Sequence, residues 1–578
     1  MNILGISCYY HDAAACLLKD GDVVAAVQEE RFTRKKHDFS FPINAVKYCL
    51  KEGKISIQEI NYVAFYDKPM LKFERLLYQH LEKAPLSYWA FYQSIPTWIS
   101  EKLRVLRMIR KKLKYKGEVI FSEHHLSHAA SAFLCSPYKE AAILTIDGVG
   151  EWVTTSLGYG KENEIKILKE IYFPHSLGLL YSTLTAYLGF KVNNGEYKVM
   201  GLSAYGEPIY IDRFRKLIDV KEDGSYKLNM EYFDFHYKLR MPSKRFIQLF
   251  GPPRKPKEKI TEHYQNMAAT LQAITEEVVL KMLNHLYEIT GMKKVCLAGG
   301  VALNSVCNGK ILRKTKFEDV YIQPAASDAG SALGCALLTY NSILDKPRSY
   351  VMKHTFLGPG YDNKQIKEFL DKNNIMYKEF NSREELLKTV AKLIFENKIV
   401  GWFQGRMEWG PRALGARSIL ANPCNPEMKD ILNKRVKHRE EFRPFAPVVP
   451  IEDVAQWFEC DNILPLPTDF MLMVYPIKEE KRKLIPAVVH VDGTGRLQTI
   501  RREQNPLYYD LIREFEKISN VPVLINTSFN IKGEPIVCSP YDAYRCMMGT
   551  GIDCTVMGNY LIWRKDNPKD MWESYGTK

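Results

Sequence analysis

Residues 141–160 read AAILTIDGVGEWVTTSLGYG, and this stretch decides the predicted fold. An apolar strand ends at Asp147-Gly148, a Gly-x-Gly turn follows, and a second strand returns. The first thirty residues repeat this scheme, with short apolar or alternating strands in NILGIS, AAACLLKDG and DVVAAVQEE. Two copies of a strand, turn and strand unit predict a duplicated α/β domain.

The composition is that of a globular protein with more than one domain. The chain has 578 residues, of which 46% are hydrophobic and 26% charged. No apolar run approaches the roughly 20 residues that span a bilayer, and no basic leader precedes the first strand, so we expect a cytoplasmic protein without a membrane partner. The 12 cysteines include no C-x-x-C pair and predict reduced thiols rather than a zinc ribbon or a disulfide framework.

The net charge of +14 indicates anionic partners, which include phosphorylated small molecules, nucleic acid and membrane surfaces. Much of this charge lies in Lys102–Lys116, KLRVLRMIRKKLKYK, where apolar residues recur at helical spacing. We interpret the segment as a solvated helix with an apolar underside, and an RNA or membrane contact is the alternative. The preceding PLSYWAFYQSIPTWIS predicts a structural helix pair or an acceptor-binding insertion.

Three of the 13 histidines lie within EHHLSHAASAF, Glu123–Phe133. The stretch predicts a helix capped by Ser122, on which His124 and His128 share a face because they are four residues apart. Two imidazoles one turn apart provide half of a metal site. The alternative is a polar helix face or a pair of hydrogen-bonded core histidines.

Two aspartates follow predicted strands and could supply the remaining ligands. Asp328 lies in QPAASDAGSALGCALL, where it either caps the next helix or binds a cation. With Asp147 it would complete two imidazoles and two carboxylates, a set that suits iron, manganese or zinc. In KKVCLAGGVALNS, Gly299-Gly300 follows a strand and precedes a helix, which indicates either a nucleotide contact or tight packing.

A Pro- and Gly-rich segment, 345–362, predicts a domain boundary, and a second group of polar residues follows it. Arginines accompany glycine and proline in GRMEWGPRALGARSIL and HREEFRPFAPVV, and polar side chains alternate in HVDGTGRLQTI. NTSFNIKGEPIV places small polar groups where an apolar run ends. The pattern predicts a second anion-binding site, with an arginine-rich exposed sheet as the alternative.

With these residues in view, the sequence resembles the O-carbamoyltransferase family, which includes the nodulation-factor NodU proteins and the carbamoyltransferases of the tobramycin and cephamycin pathways. The resemblance extends over nearly the whole chain. The blocks that carry it are GISCYYHDAAACLL, EERFTRKKHD, EHHLSHAASAF, DGVGEW, PHSLGLLYSTLTAYLGF, GEYKVMGLSAYGE, LAGGVALN, PAASDAG, GPRALGARSIL, FRPFAPVV, HVDGTGRLQT and NTSFNIKGEPIV.

The resemblance implies an α/β protein whose residues 1–350 form an actin-like domain of the ASKHA type, similar to that of the threonylcarbamoyl-transferring enzyme that modifies tRNA. It implies a metal, Fe²⁺ with manganese or zinc as alternatives, on His124, His128, Asp147 and Asp328. It assigns ATP, with Mg²⁺, to Asp147, Gly148, Val149, Gly150, Glu151, Gly178, Gly299 and Gly300. Further candidates are His11 and Asp12 as catalytic groups, unless they form only a polar turn, and Glu196 and Lys198 in the substrate cleft.

For residues 351–578 the resemblance implies an α+β YrdC-like domain that makes carbamoyl adenylate from carbamoyl phosphate and ATP. The implied binding groups are Arg412, Arg443, His490, Arg496, Asn526 and Ser528. The expected product carries the carbamoyl group on a hydroxyl of a small, sugar-like or secondary-metabolite acceptor. We expect no nucleic-acid partner, and a homodimer is the oligomer considered.

Two other functions stay open at this level. An actin-fold sugar kinase would transfer the γ-phosphoryl group of ATP and would need no second anion site. A tRNA-associated carbamoyl-transfer or binding module would show strongly salt-dependent affinity for tRNA.

Overall fold

The computed structural model describes residues 1–460 and 464–567, which form two compact units. Unit 1 contains Met1–Glu29 and His37–Met352, and unit 2 contains Glu30–Lys36 and the chain from Lys353 onward. The change of unit at 352 lies within the predicted boundary segment, 345–362. The predicted division into 1–350 and 351–578 does not include the early passage of the chain through unit 2. Residues 461–463 and 568–578 of the predicted second domain lie outside the described residues.

Unit 1 is built on two five-stranded sheets. The first contains β1 (Asn2–Ser7), β2 (Ala14–Lys19), β3 (Asp22–Gln28), β4 (Tyr62–Phe65) and β5 (Glu118–Phe121). The second contains β6 (Glu140–Ile146), β7 (Val153–Lys161) and β8 (Glu164–Tyr172), followed after a separate antiparallel pair, β9 (Ile218–Val220) and β10 (Tyr226–Leu228), by β11 (Lys294–Ala298) and β12 (Asp319–Ile322). The three strands predicted in the first thirty residues are confirmed.

The two sheets have the same topology. The first has the order β3-β2-β1-β4-β5 and the second the order β8-β7-β6-β11-β12. In each, an antiparallel meander of three strands is extended by two strands that run parallel to its first strand. The carboxyl ends of β1, β4 and β5 therefore share one edge of the first sheet, and those of β6, β11 and β12 share one edge of the second.

Helices connect and cover these strands. Their bounds are α2 (Ile43–Gly53), α3 (Pro69–Glu82), α4 (Tyr88–Ser100), α5 (Val105–Leu113), α6 (His124–Phe133), α7 (Leu177–Tyr187), α8 (Glu196–Leu202), α9 (Ile211–Phe214), α10 (Lys244–Phe250), α11 (Glu262–Thr290), α12 (Ser305–Asn308), α13 (Ile311–Lys314) and α14 (Asp328–Leu337), while α1 (Glu30–Thr33) belongs to unit 2. Helix α6 begins at His124, so its N-cap is Glu123 and not the predicted Ser122.

Two glycines let helix α14 approach its neighbours closely. A Cβ on Gly5 of β1 would lie 1.9 Å from the carbonyl oxygen of Ala332, and a Cβ on Gly334 would lie 1.9 Å from that of Ser127 on α6. Any side chain at either glycine would clash with backbone. The small residues of α14 therefore hold this helix against both β1 and α6.

Unit 2 contains one nine-stranded mixed sheet. Its strands are β13 (Lys378–Glu379), β14 (Val400–Phe403), β15 (Arg417–Ala421), β16 (Ala446–Pro450), β17 (Met473–Pro476), β18 (Thr494–Ile500), β19 (Leu524–Ser528), β20 (Cys554–Met557) and β21 (Tyr560–Trp563). Their order is β13-β21-β20-β14-β15-β19-β16-β18-β17. The helices are α1, α15 (Asn363–Lys372), α16 (Arg383–Phe395), α17 (Met428–Leu432), α18 (Val454–Trp457), α19 (Glu479–Arg482), α20 (Pro506–Ser519) and α21 (Pro540–Met548).

The early segment Glu30–Lys36 is fastened inside unit 2 by its two arginines. Arg31 Nη2 donates to the carbonyl oxygen of Gly410 at 2.8 Å, and Arg34 donates to the carbonyl oxygens of Pro535 and Ile536 at 2.8 and 2.7 Å. Phe32 packs against the small core cluster of Met407, Ala413, Ile536 and Cys538. Among the described residues, no helix combines the length and the apolar character needed to cross a membrane.

Candidate functional site

The four predicted metal ligands lie in unit 1 at the ends of strands. Helix α6, with His124 and His128, follows the carboxyl end of β5, and Asp147 comes directly after β6. Asp328 begins α14 after β12. Because α14 packs tightly on α6, its first residue is brought to the histidine pair, and carboxyl ends of strands are common ligand sites in α/β folds.

The four side chains converge on one point. One potential ligand atom from each lies within 4.8 Å of all the others. Asp147 Oδ2 is 3.0 Å from His124 Nε2 and 3.4 Å from His128 Nε2, and the two Nε2 atoms are 3.1 Å apart. Asp328 Oδ1 is 3.8 Å from both Nε2 atoms. All four side chains are buried.

This arrangement fits a bound metal better than a pair of hydrogen-bonded core histidines. Asp328 Oδ1 is buried and has no hydrogen-bond partner among the described residues, although a buried carboxylate oxygen normally has one. The two Nε2 atoms face each other, while His128 Nδ1 lies 3.1 Å from Ser331 Oγ, which would fix the orientation of its ring. Two imidazole nitrogens and two carboxylate oxygens suit iron, manganese or zinc.

Burial and charge shift the pKa values of this cluster in opposite directions. Burial raises the pKa of Asp328 to about 6, and burial lowers that of His124 well below its usual range. Although burial alone would raise it, hydrogen bonds with His124 and His128 hold the pKa of Asp147 well below normal. A neutral imidazole at His124 beside the charged carboxylate of Asp147 matches the protonation states that a metal requires of such ligands.

The catalytic candidates His11 and Asp12 lie beside this cluster, after β1. His11 Nε2 is 4.0 Å from Asp328 Oδ2, and His11 Nδ1 is 3.1 Å from Asp12 Oδ2. Asp12 also contacts His37 Nδ1 at 2.7 Å and accepts a hydrogen bond from Ser327 Oγ at 3.2 Å. These contacts orient the carboxylate of Asp12 and, through it, the imidazole of His11.

The charge of Asp328 also affects His11. Burial lowers the pKa of His11, but the nearby carboxylate of Asp328 and the hydrogen bond to Asp12 outweigh that effect and raise it to about 10. Because the carboxylate of Asp328 causes much of the increase, a cation bound to that carboxylate would lower the pKa of His11 again.

The predicted ATP residues surround Asp147. Gly300 N donates to Asp147 Oδ1 at 3.1 Å, and a Cβ on Gly178 would lie 2.6 Å from the carbonyl oxygen of Asp147. Gly299 has a φ of +90°, which favours glycine. Glu151 accepts hydrogen bonds from the backbone N–H groups of Lys68 and His124. Gly148, Val149 and Gly150 complete the same turn.

The contacts of Glu196 and Lys198, the two candidates for the substrate cleft, point less directly to a binding site. Glu196 accepts hydrogen bonds from the backbone N–H groups of Asn193 and Gly195 and from Ser182 Oγ, at 2.9 to 3.1 Å. Its carboxylate therefore holds its own loop, which favours a positioning role. Lys198 Nζ lies 5.4 Å from the centre of the Phe190 ring.

Unit 2 contains a pocket of cations around Arg496. Burial lowers the pKa of Arg496 well below its usual range, and repulsion from Arg412, Arg439 and Arg443 lowers it further. Arg496 Nε is buried without a hydrogen-bond partner among the described residues, and so is His490 Nε2. We name this group the arginine pocket, with the members Arg412, Arg439, Arg443, His490 and Arg496.

The remaining predicted residues border strands β18 and β19. Asn526 donates to the carbonyl oxygen of Ala413 at 3.1 Å and to Gln498 Oε1. Ser528 Oγ donates to Asn530 Oδ1 at 2.7 Å. Strand β18 begins at Thr494. The predicted alternation therefore holds for Thr494, Arg496 and Gln498 but not for His490 and Asp492. His490 lies in the preceding turn, with Nδ1 3.1 Å from Thr494 Oγ1.

Three residues of this region were not predicted from the sequence. Two of them are Arg439 and Asn530, and the chief one is Lys437. Its ammonium group is buried and donates to the carbonyl oxygen of Ser528, to that of Asn530 at 3.2 Å, and to Asn530 Oδ1 at 3.0 Å. Burial lowers the pKa of Lys437 well below its usual range, and Arg439 and Arg443 add repulsion. The spacing Lys-x-Arg at 437–439 and Ser-x-Asn at 528–530 was the available signal.

Two family models match the chain. The model described as "Carbamoyltransferase N-terminus" matches residues 2–337, and the one described as "Carbamoyltransferase C-terminus" matches residues 391–564. Together they cover both groups of predicted site residues.

Individual relatives agree with these matches. "Uncharacterized protein sll1178" of Synechocystis is 47% identical over 98% of this chain and 97% of its own length. "Nodulation protein NolNO" of Sinorhizobium fredii is 38% identical over 98% of this chain and 80% of its own length. The solved structure of T. kodakarensis HypF is 13% identical with a TM-score of 0.31, over 58% of this chain and 47% of that one, which is too weak to support any conclusion. The resemblance found in the sequence is confirmed by the family models and the relatives, and the chain belongs to the carbamoyltransferase family.

Proposed function

We propose that the protein is an ATP-dependent O-carbamoyltransferase that works through carbamoyl adenylate. Unit 2 uses carbamoyl phosphate and ATP to form the adenylate, and unit 1 transfers the carbamoyl group to a hydroxyl of a small, sugar-like or secondary-metabolite acceptor. An actin-like unit 1 and a YrdC-like unit 2 are part of this proposal. The common strand order of the two sheets of unit 1 supports a duplicated domain of the first kind.

The observation that carries the proposal is the arginine pocket. Arg496 Nε is buried without a hydrogen-bond partner among the described residues, and other cations surround the guanidinium. A partly buried guanidinium among other cations is costly, so the site around Arg496 is expected to receive an anion. Guanidinium groups bind phosphate and carboxylate oxygens through paired hydrogen bonds, which matches carbamoyl phosphate and the phosphates of ATP.

In the first reaction, the arginine pocket holds carbamoyl phosphate while water releases inorganic phosphate and leaves carbamate. A carbamate oxygen then attacks the α-phosphorus of ATP, and the bond to the leaving pyrophosphate breaks. The arginines stabilise the charge that develops on the phosphoryl oxygens. Lys437, which Arg439 and Arg443 of this pocket repel, holds the Ser528–Asn530 turn. Because carbamate and its adenylate hydrolyse in water, consuming the adenylate within one protein would limit its loss.

In the second reaction, an acceptor hydroxyl attacks the carbamoyl carbon of the adenylate and AMP leaves. His124, His128, Asp147 and Asp328 would hold the metal, which when bound supplies a Lewis acid for the carbonyl oxygen. The turn Asp147–Glu151 and the Gly299-Gly300 loop would contact the adenylate phosphate. His11, oriented by Asp12, is placed to position the hydroxyl or to accept its proton at Nε2.

The test is to incubate the protein with ATP and carbamoyl phosphate and to measure AMP, ADP, pyrophosphate and inorganic phosphate. The proposal expects AMP and pyrophosphate in equal amounts, and only when carbamoyl phosphate is present. Release of ADP instead would favour the kinase alternative. Nucleotide turnover that ignores carbamoyl phosphate would refute the proposed first reaction.

A further inference from the structure

Helix α4 presents an uncharged, largely apolar surface to solvent. Residues 84–100 contain no Asp, Glu, Lys or Arg, although a quarter of the chain, 26%, is charged. Large side chains at the tip of the α3–α4 hairpin are exposed by between 56% and 74%. We name these side chains the aromatic tip: Leu81, Leu86, Tyr88, Trp89 and Tyr92. Contiguous exposed apolar patches on soluble domains mark interaction sites.

The aromatic tip is held in place from the inner side of α4. Trp98 is buried with its ring centre 5.6 Å from that of Phe73 on α3, and Phe91 lies 5.4 Å from the ring of His80. Ser87 Oγ donates to the carbonyl oxygen of His80. With the inner face of α4 fastened in this way, the outward rings cannot turn into the core.

The outward rings contact one another. Tyr88 and Tyr92 are stacked at 6.2 Å between ring centres, and Trp89 lies edge-on to both, at 5.3 and 6.2 Å. Tyrosine and tryptophan favour the boundary between water and lipid headgroups, because each has an apolar ring and a polar group. Leu81 and Leu86 add aliphatic side chains to the same tip, and aliphatic groups prefer a hydrocarbon environment.

A strongly basic segment follows α4 after one acidic residue, Glu101. Helix α5 starts five residues after the last residue of α4, and Lys102–Lys116 contains no acidic residue. Its apolar residues Val105, Ile109 and Leu113 are buried. Leu106 and seven cations of α5 and its flanking residues are exposed, and we name these cations the basic face of α5: Arg104, Arg107, Arg110, Lys111, Lys112, Lys114 and Lys116.

We propose that unit 1 binds to an anionic lipid membrane through the aromatic tip and the basic face of α5. The rings and leucines would enter the headgroup boundary, and the arginines and lysines would contact lipid phosphates. Nucleic acid fits less well, because Leu81 and Leu86 add nothing to base stacking or to phosphate binding. A second copy of the chain also fits less well, because it would bring the same positive charge to the interface and the two surfaces would repel each other. This attachment revises the expectation that the protein has no membrane partner, and it needs no membrane-spanning helix.

The experiment measures cosedimentation of the full-length protein with vesicles. One set contains phosphatidylcholine alone, and the other contains phosphatidylcholine with phosphatidylglycerol. We expect binding to the anionic vesicles that weakens as salt is added, because charge attraction is screened. Trp89→Ser combined with Tyr92→Ser, and separately Arg104→Glu combined with Arg107→Glu, should each lower the partition coefficient at least about tenfold.

The matched control is Tyr172→Ser combined with Leu239→Ser. These side chains are exposed by 51% and 72%, similar to the aromatic tip, but lie on other elements of unit 1. The control should bind vesicles as the unchanged protein does. Equal binding by all variants, or none by the unchanged protein, would overturn the proposal. Sedimentation velocity supplies a further check, because a dimer that the Trp89 and Tyr92 changes dissociate would instead assign the surface to a second copy.

Discussion

The candidate metal cluster of unit 1 is buried and the arginine pocket of unit 2 is partly exposed, and the two sites balance charge in opposite ways. In unit 1, His124 and His128 face the carboxylates of Asp147 and Asp328, so the cluster can receive a cation. In unit 2, Arg496 is surrounded by other arginines, so the pocket can receive an anion. The difference explains how one chain could make an anionic intermediate in one unit and use it beside a metal in the other. Variants that lose one reaction and keep the other would support this division of the two reactions between the units.

The largest effect is expected from Arg496→Ala. Without its guanidinium, the arginine pocket loses a charge that stabilises the phosphoryl transition state, so formation of AMP and pyrophosphate should fall about 10²- to 10³-fold. The metal content of the protein should not change. The control is Arg501→Ala, because Arg501 already pairs with Asp469 at 3.0 Å. Unchanged pyrophosphate release would remove Arg496 from the proposed reaction.

His128→Ala tests the other side of the comparison. The loss of one ligand should lower metal affinity more than about 100-fold and stop carbamoyl transfer, while pyrophosphate release in unit 2 continues. Metal analysis and product assays measure the two effects. His125→Ala is the matched control, because this buried imidazole is on the same helix and contacts Thr145 Oγ1 instead. Equal loss of pyrophosphate release in His128→Ala and Arg496→Ala would contradict the division of labour.

Ser331→Ala should give a smaller effect on the same centre. Ser331 Oγ lies 3.1 Å from His128 Nδ1, so its loss leaves the ring less firmly oriented. We expect a roughly 10-fold decrease in metal affinity with little change in unfolding by urea. Ser136→Ala is a suitable comparison, since Ser136 Oγ donates to the carbonyl oxygen of Phe133 and accepts from the backbone N–H of Tyr138. A similar metal affinity in both variants would show that Ser331 does not orient the ligand.

The smallest effect concerns pH and the metal-free protein. Burial raises the pKa of Asp328 to about 6, above its unfolded value of about 3.9. The folded state therefore binds more protons between roughly pH 4 and pH 6, so this group lowers the free energy of unfolding as pH rises through that window. Asp328→Asn cannot titrate. Between pH 5 and pH 7, the free energy of unfolding of this variant in urea should rise by on the order of 1–3 kcal/mol relative to that of the unchanged protein. A parallel pH dependence in the two proteins would show that Asp328 has an ordinary pKa.

Much of the unit 1 site could be predicted because its ligands follow local patterns. The i, i+4 spacing places His124 and His128 on one face, and strand-end positions identify Asp147 and Asp328. The orienting residues could not be found in this way. His37 and Ser331 act through contacts 25 and 203 residues away in sequence, with Asp12 and His128, and no local period encodes such pairings.

Prediction was weaker in unit 2, where the site depends on long-range packing. Alternation along HVDGTGRLQTI suggested one continuous strand, but Gly493, with a φ of +78°, turns the chain and leaves His490 before β18. Lys437 was overlooked because a lysine within a basic run is usually solvated. Its ammonium group is held by acceptors at the end of β19 and in the following turn, 91 to 93 residues later.

The early passage of Glu30–Lys36 through unit 2 has a consequence for how the protein is made. Arg31 and Arg34 leave the ribosome long before their carbonyl partners, which follow 379 and 501 to 502 residues later. Unit 2 therefore cannot complete its fold until Ile536 has been translated, and joining such distant segments slows folding. A fragment that starts at Lys353 would lack both arginines, so the second half of the gene does not encode the whole second unit.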